Sequence, residues 1–169
     1  ENKLRSIFKA APVGIGVTSN RVLLEVNDTM CKMLGYKKDE LIGKSALVLY
    51  PTVEEFELVG KEKYKQIEQF GTGTVETKWV CKNGKIIDVL LSSTPLNLKN
   101  ISGGVTFTAL DITGRKKSEE ALRKSQERFA LAQRSANIGS WEWNILTGDV
   151  NWSETIEPMF GFNKGEFDG

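Results

Sequence analysis

Histidine is absent from this chain of 169 residues, and cysteine and proline are scarce, with two and four residues respectively. Without histidine the chain lacks the commonest general base, the commonest metal ligand and any phosphohistidine acceptor. Cys31 and Cys81 are too far apart in sequence to form a CxxC motif or a zinc cluster, so we interpret them as core thiols in a reducing compartment. We find no nucleophile with a nearby base and no carboxylate pair, and therefore predict neither a metal site nor a catalytic residue.

Neither sign of charge dominates, and long hydrophobic runs are missing. Lys and Arg number 23 and Asp and Glu number 22, which gives a net charge of +1. This balance gives no argument for nucleic acid or an anionic membrane as the partner. The longest apolar stretch, residues 46–50, is far shorter than the roughly 18 residues of a membrane-spanning helix. With 40% hydrophobic and 27% charged residues, we expect a globular cytoplasmic protein with no span in this segment.

The chain contains an internal repeat. Residues 11–14 correspond to residues 136–139, and residues 33–41 correspond to residues 159–167 at an offset one residue longer. The second copy holds only the beginning of what the first copy completes. We interpret the chain, which opens at Glu1 rather than Met, as an excised segment with one whole module and a truncated second one.

Capping, turn and alternation patterns predict an α+β fold for the first module. The predicted elements are helices at 4–11 and 28–34, strands at 15–17 and 22–26 around a turn at Ser19-Asn20, a long helix from Thr52, and strands at 74–82, 85–94 and 104–110. Thr52 and Glu55 form a predicted capping box, and the apolar stripe of the long helix is Phe56, Val59, Ile67 and Phe70. The strand order implies a five-stranded antiparallel sheet with helices on one face.

The space between the sheet and the helices is the candidate ligand site. By alternation its inward-facing residues are Phe56, Trp79, Val89, Leu91, Ser93, Val105, Phe107 and Ala109. Since these are mostly apolar, two interpretations stay open: a filled core, or a pocket for a small apolar ligand. A strict two-residue turn at Asn83-Gly84 would place Trp79 opposite Asp88, so the pocket requires a bulge in this hairpin.

A charged helix is predicted over residues 114–135. Glu119 and Arg123, and Glu120 and Lys124, have the spacing of ion pairs along one helix face. A heptad seam runs through Ser118, Leu122, Ser125, Phe129, Ala132 and Ala136. The helix is therefore either a solvated connector or one strand of a coiled coil in a homodimer, with Leu122 and Phe129 as its strongest apolar contacts.

Motifs spread over nearly the whole chain carry a family resemblance. They are Asn27, residues 33–36 and 40–43, the hairpin at 82–84, residues 92–95, and above all Asp111-Ile112-Thr113 with the basic residues 115–117 behind it. In these motifs the chain resembles a PAS sensor domain at 1–113, followed by a signalling helix at 114–135 and the truncated start of a second PAS domain at 136–169. Residues 139–144 and 152–153 resemble the PAS variant with paired aromatic strands.

The resemblance implies a sensory role. A ligand, cofactor or partner would bias the domain, and the exit helix would carry the bias to an output domain of the parent chain, most similar to a multi-PAS sensory histidine kinase. A cyclic-dinucleotide cyclase is the alternative output, and a ligand-free dimerisation and relay module is the alternative role. The family's haem sensors bind iron through histidine, and its light sensors use a cysteine in the part equivalent to residues 45–48. Because both are missing here, we expect neither haem bound through histidine nor a covalent flavin adduct, while non-covalent flavin stays open and the cofactor is unknown.

Asp111, Thr113 and Arg115 are the predicted relay residues. Asp111 and Arg115 are four residues apart, and we expect an ion pair or hydrogen bond between them that fixes how the helix leaves the sheet.

The truncated copy should begin with strands at 140–144 and 149–153, joined at Thr147-Gly148. An isolated hairpin is marginal in water. We therefore expect it to be covered by the first module or a neighbouring chain, or else to be poorly ordered.

Overall fold

The computed structural model describes residues 2–97, 103–136, 138–153, 155–163 and 165–166, in two compact units that divide after Lys116. The first unit contains α1 (Asn2–Ala10), β1 (Gly14–Ser19), β2 (Val22–Val26), α2 (Asp28–Leu34), α3 (Lys38–Leu41), a 3-10 helix (Ala46–Leu49), α4 (Val53–Phe70), β3 (Gly73–Val80), β4 (Ile86–Pro95) and β5 (Val105–Asp111). Helix α5 (Thr113–Ser135) follows, and the second unit adds β6 (Trp141–Trp143), β7 (Val150–Trp152) and α6 (Ile156–Met159).

The first unit is built on a five-stranded antiparallel sheet in the order β2-β1-β5-β4-β3. Alternate residues of β4 and β5 are buried, so one face of the sheet packs on the core beneath α2 and α4. The predicted α+β fold is confirmed. Because β5 lies in the middle of the sheet, the strand that leads into α5 contacts both halves of it.

The turn between β1 and β2 lies one residue later than predicted. Ser19 still pairs with Val22, and the turn is formed by Asn20 and Arg21, with φ of 49° and 63°. Left-handed φ at both central residues is the geometry that suits a tight hairpin between twisted strands. The turn places Arg21, rather than a small residue, at the edge of the core.

The hairpin between β3 and β4 is not the strict two-residue turn. Trp79 pairs with Ile87 rather than with Asp88. The loop contains one more residue, since the N–H of Cys81 donates to the carbonyl of Lys85, and Gly84 takes the left-handed conformation with φ of 81°. This is the bulge that the pocket assignment requires, and it turns Trp79 to the buried face.

Helix α4 differs from its predicted pattern at both ends. Thr52 Oγ1 accepts from the N–H of Glu55 at 3.1 Å, but the Glu55 carboxylate accepts from the Thr77 hydroxyl at 2.7 Å and does not complete the capping box. Phe70 is 77% exposed, so the buried stripe ends at Ile67. Phe70 is the last helical residue and borders a surface groove where the chain reverses at Gly71.

Asn27 joins the three elements around it. Its Oδ1 accepts from the N–H groups of Ile15 at 2.9 Å and Met30 at 3.0 Å, which caps α2. Its Nδ2 donates to the carbonyls of Phe8 and Val13, both at 3.0 Å. All the polar capacity of this buried amide, 2% exposed, is therefore used inside the protein.

The second unit contains most of α5, followed by a small hairpin and a short helix. Trp141 pairs with Trp152, within the two predicted strands. Trp152 packs against Phe160 and Phe162, with ring centroids 5.6 and 6.1 Å apart, whereas Trp141 and Trp143 are exposed. Residues 137, 164 and 167–169 of the predicted repeat lie outside the described residues.

Two hydrogen bonds at the start of the first unit recur in the second. The N–H of Asn27 donates to the carbonyl of Ile15, whose own N–H donates to the side chain of Asn27. The N–H of Ser153 donates in the same way to the carbonyl of Ser140, whose N–H donates to the Ser153 hydroxyl. Ser153 therefore takes the position that Asn27 holds.

A second pair of equivalent contacts follows the helices. The backbone N–H of Lys37 donates to the carboxylate of Glu40 at 2.8 Å, and that of Asn163 donates to the carboxylate of Glu166 at 2.7 Å. These residues correspond in the sequence repeat, so the two parts of the chain share contacts as well as residues.

Candidate functional site

A small cavity lies between the sheet and α4. Its volume is about 30 Å³, which is room for about two water molecules. It is lined by Thr18, Arg21, Leu23, Ala46, Leu49, Tyr50, Phe56, Val59, Gly60, Lys63, Tyr64, Trp79, Leu91 and Phe107. Most of the space between sheet and helices is therefore filled by side chains, with a small gap at its centre.

The structure brings together half of the predicted ligand residues. Phe56, Trp79, Leu91 and Phe107 line the cavity. Val89, Ser93 and Ala109 are buried elsewhere in the core, and Val105 lines a groove outside it. A ligand-binding role for the first four residues stays a prediction.

Aromatic rings form one wall of the cavity. Trp79 lies edge-on between Tyr50 and Phe107, with ring centroids 6.2 and 6.3 Å apart, and Tyr50 contacts Phe56 at 5.2 Å. Among the described residues, the indole N–H of Trp79 and the hydroxyl of Ser93 are buried without a hydrogen-bond partner. Two polar atoms thus stay unsatisfied in an otherwise apolar core.

Arg21 closes the cavity on the side of α4. Its guanidinium lies over the Phe56 ring, 3.2 Å from the centroid, and donates to the Phe56 carbonyl and to Glu57 at 2.8 Å. A Cβ at Gly60 would lie 2.8 Å from its Nη2 atom. Glycine at this position therefore lets the guanidinium approach the helix backbone.

Lys63 lies one turn after Gly60 and is half-buried. Burial, and then the positive charge of Arg21, lower the pKa of its ammonium to about 8. Burial raises the pKa of Tyr50, and the positive charge of Arg21 partly offsets this rise. The mouth of the cavity is therefore cationic, whereas the inward-facing residues predicted from the sequence are mostly apolar.

An open groove continues from the cavity to the surface. Its volume is about 440 Å³, and it shares Thr18, Arg21 and Tyr64 with the cavity. Its remaining lining residues are Asn20, Glu68, Gly104 and Val105. A ligand could therefore extend from the apolar interior past the cations to solvent.

The start of α5 is fixed to β4 through Asp88 and Thr113. The backbone of Asp88 accepts from the N–H of Ile112 and donates to the Thr113 hydroxyl, both at 2.9 Å. The carboxylate of Asp111 accepts from the N–H of Thr113 at 2.9 Å. The threonine of the motif therefore binds the neighbouring strand.

The predicted pair between Asp111 and Arg115 is wrong. Within the described part of the chain, Arg115 contacts Glu76 on β3 at 3.2 Å, while Asp111 is used by Thr113. Lys116 also contacts Glu76, at 2.7 Å, and Asp88 at 3.6 Å. Hydrogen bonding to Lys116 lowers the pKa of Glu76, and the same contact raises the pKa of Lys116. The first turn of α5 is thus held against two strands because its cations face the sheet.

The rest of α5 has no buried residue in the described part of the chain. Leu122 and Phe129 are 60% and 63% exposed. Glu120 contacts Arg123 at 2.8 Å and Lys124 at 3.3 Å, so the spacing of Glu120 and Lys124 does produce an ion pair. The helix leaves an apolar seam exposed within the single chain, and the coiled coil stays a prediction.

Metal-ligating side chains and cysteines are the other residue types that could form a site. Among the described residues, no group of three or more His, Cys, Asp and Glu side chains could hold a metal ion. Cys31 and Cys81 are free thiols, and burial raises the pKa of both. In the described ranges, none of the helices combines the length and the apolar character that crossing a membrane requires.

Sequence reasoning missed Arg21, Tyr50, Lys63 and Tyr64. The helical period does contain a signal for one of them, Lys63, since residues 56, 59, 63 and 67 follow one face of α4. Because Lys63 is charged, the predicted apolar stripe of α4 does not include it. No pattern in the sequence indicates that a turn residue such as Arg21 reaches the cavity.

The chain is similar to known proteins in sequence and in structure. The family model described as PAS domain matches residues 12–114. The chain is 31% identical to sporulation kinase A of Bacillus subtilis over 83% of this chain and 24% of that protein. It is 29% identical to the sensor protein TdiS of Thauera aromatica, over 74% of this chain and 23% of that protein. It is 24% identical to the probable diguanylate cyclase DgcE of Escherichia coli, over 95% of this chain and 15% of that protein. The chain spans less than a quarter of the length of each of these relatives.

Solved structures share the fold. The PAS domain of a LuxR-family transcriptional regulator from Burkholderia thailandensis, in complex with ethanol, is 23% identical with a TM-score of 0.60, over 64% of this chain and 96% of that chain. The PAS domain of a Colwellia psychrerythraea protein is 23% identical with a TM-score of 0.61, over 67% and 97%. Likeness at this identity shows the architecture alone.

Proposed function

Because this chain belongs to the PAS domain family, we propose that it is the sensory module of a two-component sensor histidine kinase. Its relatives include sensor kinases and a cyclase, so signal transduction is the supported role. In this proposal a small ligand in the cavity biases the sheet, and α5 carries the bias to an output domain. The chain itself is a sensor and performs no catalysis. Its two free cysteines suit a cytoplasmic location.

The junction between β5 and α5 carries this proposal. Thr113 and Lys116, at the start of α5, both contact Asp88 on β4, and Lys116 and Arg115 share Glu76 on β3. Trp79 and Leu91, further along the same two strands, line the cavity. A ligand that moves these strands would therefore also move the start of the exit helix.

Glu76 provides a direct test of this relay. Replacing Glu76 by glutamine removes the charge that Arg115 and Lys116 both contact. Since all three side chains are at least 38% exposed, we expect the melting temperature to stay nearly unchanged while hydrogen exchange at residues 116–121 becomes faster. Fused to the catalytic domains of a sensor histidine kinase, the variant chain should also give an altered autophosphorylation rate.

The matched control is Glu54→Gln. Glu54 is an exposed acid on α4 and makes no ion pair among the residues that the structure describes. This variant should behave as the wild type does. Unaltered exchange and unaltered autophosphorylation in the Glu76 variant would contradict the relay.

A cyclic-dinucleotide cyclase is the second candidate for the output. The match to the probable diguanylate cyclase spans 95% of this chain, more than the kinase matches do. The coding sequence beyond residue 169 tests the choice. A phosphoacceptor histidine with an ATP-binding domain supports the kinase, and a cyclase domain overturns it.

In the same proposal the chain divides into a PAS domain at 1–113, a signalling helix at 114–135 and the beginning of a second PAS domain at 136–169. The contacts of Asn27 and of Glu40 that recur at Ser153 and Glu166 support the second unit.

Dimerisation through α5 is the last part of the proposal. Leu122 and Phe129 are exposed at heptad positions, and a second copy of the helix would bury both. Replacing both residues by glutamate should convert a dimeric chain into monomers in sedimentation velocity. A wild-type chain that is monomeric at high protein concentration would contradict this expectation and favour the solvated connector.

If the cavity binds nothing, the module is a ligand-free relay. The filled core around a gap of about 30 Å³ favours this alternative. A small molecule that co-purifies with the chain in native mass spectrometry would argue against it.

A further inference from the structure

The mouth of the cavity carries more positive than negative charge. Arg21 is paired with Glu57, whose side chain is 63% exposed. The ammonium of Lys63 has no carboxylate partner among the described residues, and the charge it faces is Arg21. Glu68 lines the outer groove rather than the cavity. A half-buried cation beside a second cation is costly unless an anion joins them.

The polar groups at this mouth are suited to an anion. Lys63 supplies N–H donors, and Arg21 has donors beyond the two it gives to Phe56 and Glu57. Tyr50 and Tyr64 line the same cavity. Tyr50 also lies near Glu55, whose carboxylate is bound by the Thr77 hydroxyl. An oxyanion could therefore take several donors without displacing an existing ion pair.

The inner wall has the opposite character. Beyond the cations the lining is apolar, with Leu49, Val59, Leu91 and Phe107 around the indole of Trp79. The interior volume of about 30 Å³ is room for about two water molecules, so only a short apolar group suits it. The site thus combines a cationic entrance with a short apolar end.

We propose that this cavity binds a short-chain monocarboxylate, with its carboxylate between Lys63 and Arg21 and its carbon chain against Trp79. The proposal rests on the sensory function proposed above and names the class of ligand. An inorganic anion would be bound by the cations alone, whereas a neutral alcohol or amide would be bound by the apolar wall alone. A short carboxylic acid, as its anion, contacts both and should bind more tightly than either.

The test compares propionate with propionamide and formate, added to the full chain at constant ionic strength and followed by ¹H–¹⁵N NMR. We expect propionate to shift the Trp79 indole signal and to bind more tightly than both other compounds. Each buried methylene should tighten binding about fourfold over formate. Lys63→Met should weaken propionate binding about tenfold or more, because a charge-assisted hydrogen bond is lost.

Lys65→Met is the matched control. Lys65 is an exposed lysine on the same helix, and its replacement removes the same charge. This variant should bind propionate as the wild type does. If both variants weaken binding equally, the attraction is general charge and the proposed site is wrong.

A measurement on the wild type avoids any question of folding in the variants. The pKa of Lys63, about 8 in the free protein, should rise when propionate is bound, because the anion stabilises the ammonium. Propionate affinity should accordingly fall as the pH rises through this value. The pKa is read from the side-chain signals of isotope-labelled lysine.

The outcomes separate the ligand class from the sensory function. The proposal that the ligand is a carboxylate is overturned if propionamide binds as tightly as propionate, or if propionate does not change the pKa of Lys63. The cavity would then sense a neutral molecule. If neither compound binds, the ligand proposal is overturned. The relay is then judged separately by the Glu76 variant.

Discussion

Replacing Asn27 by alanine should lower the free energy of unfolding of the first unit by about 3–4 kcal/mol. The amide makes four hydrogen bonds, with the N–H groups of Ile15 and Met30 and the carbonyls of Phe8 and Val13. Alanine leaves these groups without partners at a site that is 2% exposed in the wild type. Unsatisfied buried polar groups each cost about 1–3 kcal/mol of folding stability. The expected loss already includes the loss of the α2 cap, which is one of these four hydrogen bonds.

Asn27→Asp is the informative companion variant. It keeps the oxygen that accepts from Ile15 and Met30, but it places a second oxygen against the carbonyls of Phe8 and Val13. Burial and these carbonyls should raise the pKa of the carboxyl above its unfolded value of about 3.9. A raised folded pKa means that the folded state holds its proton longer. The variant should therefore be most stable in acid, relative to wild type, and lose stability as the pH rises through the folded pKa.

Both variants are measured by urea unfolding, followed by circular dichroism, at several pH values. A loss for Asn27→Ala of less than about 1 kcal/mol would mean that water replaces the amide, and that the site is less closed than its burial indicates. An aspartate variant without pH dependence would show that its carboxyl does not face the two carbonyls.

Replacing Trp79 by alanine should cost about 3–5 kcal/mol, the range for a fully buried large aromatic residue. The indole contacts Tyr50 and Phe107 edge-on, and its side chain is 2% exposed. The space left behind would join the existing cavity of about 30 Å³. Because rings on both sides are anchored in different elements, the gap cannot close by the movement of one residue.

Trp79→Phe separates packing from polarity. Phenylalanine keeps an aromatic ring and removes the buried indole N–H that has no partner in the described structure. We therefore expect a cost well below that of alanine, about 1–2 kcal/mol. A phenylalanine variant as unstable as the alanine variant would indicate that the indole N–H is bonded after all. Thermal and urea unfolding of the three proteins provide the comparison.

The sheet and its helices could be predicted because they depend on local signals. Thr52 does cap α4, and Gly35 ends α2 in the left-handed conformation. The alternation along β4 and β5 correctly identified the buried face. These patterns involve residues close in sequence, so a single sequence contains them in full.

The candidate site could be predicted only in part because its chemistry depends on distant contacts. Alternation assigned Leu91 and Phe107 to the interior, but it gave no reason to bring Arg21 to Phe56, 35 residues away. The same limit applies to Arg115. Its partner Glu76 lies 39 residues earlier, whereas the predicted partner, Asp111, lies only four residues away.

Asn27 and Ser153 make the same backbone contact with different side chains, so the two copies of the repeat can evolve independently at this position. Asn27 reaches the carbonyl of Phe8, 19 residues earlier, and so anchors the preceding helix. Ser153, in the equivalent place, has a hydroxyl that contacts Ser140 and Thr155, both within 13 residues. In the second copy, the preceding helix is instead held through Gln133, whose side chain donates to the Ser140 hydroxyl at 2.8 Å. Selection on stability can therefore act on the first copy through Asn27 and on the second copy through Ser153.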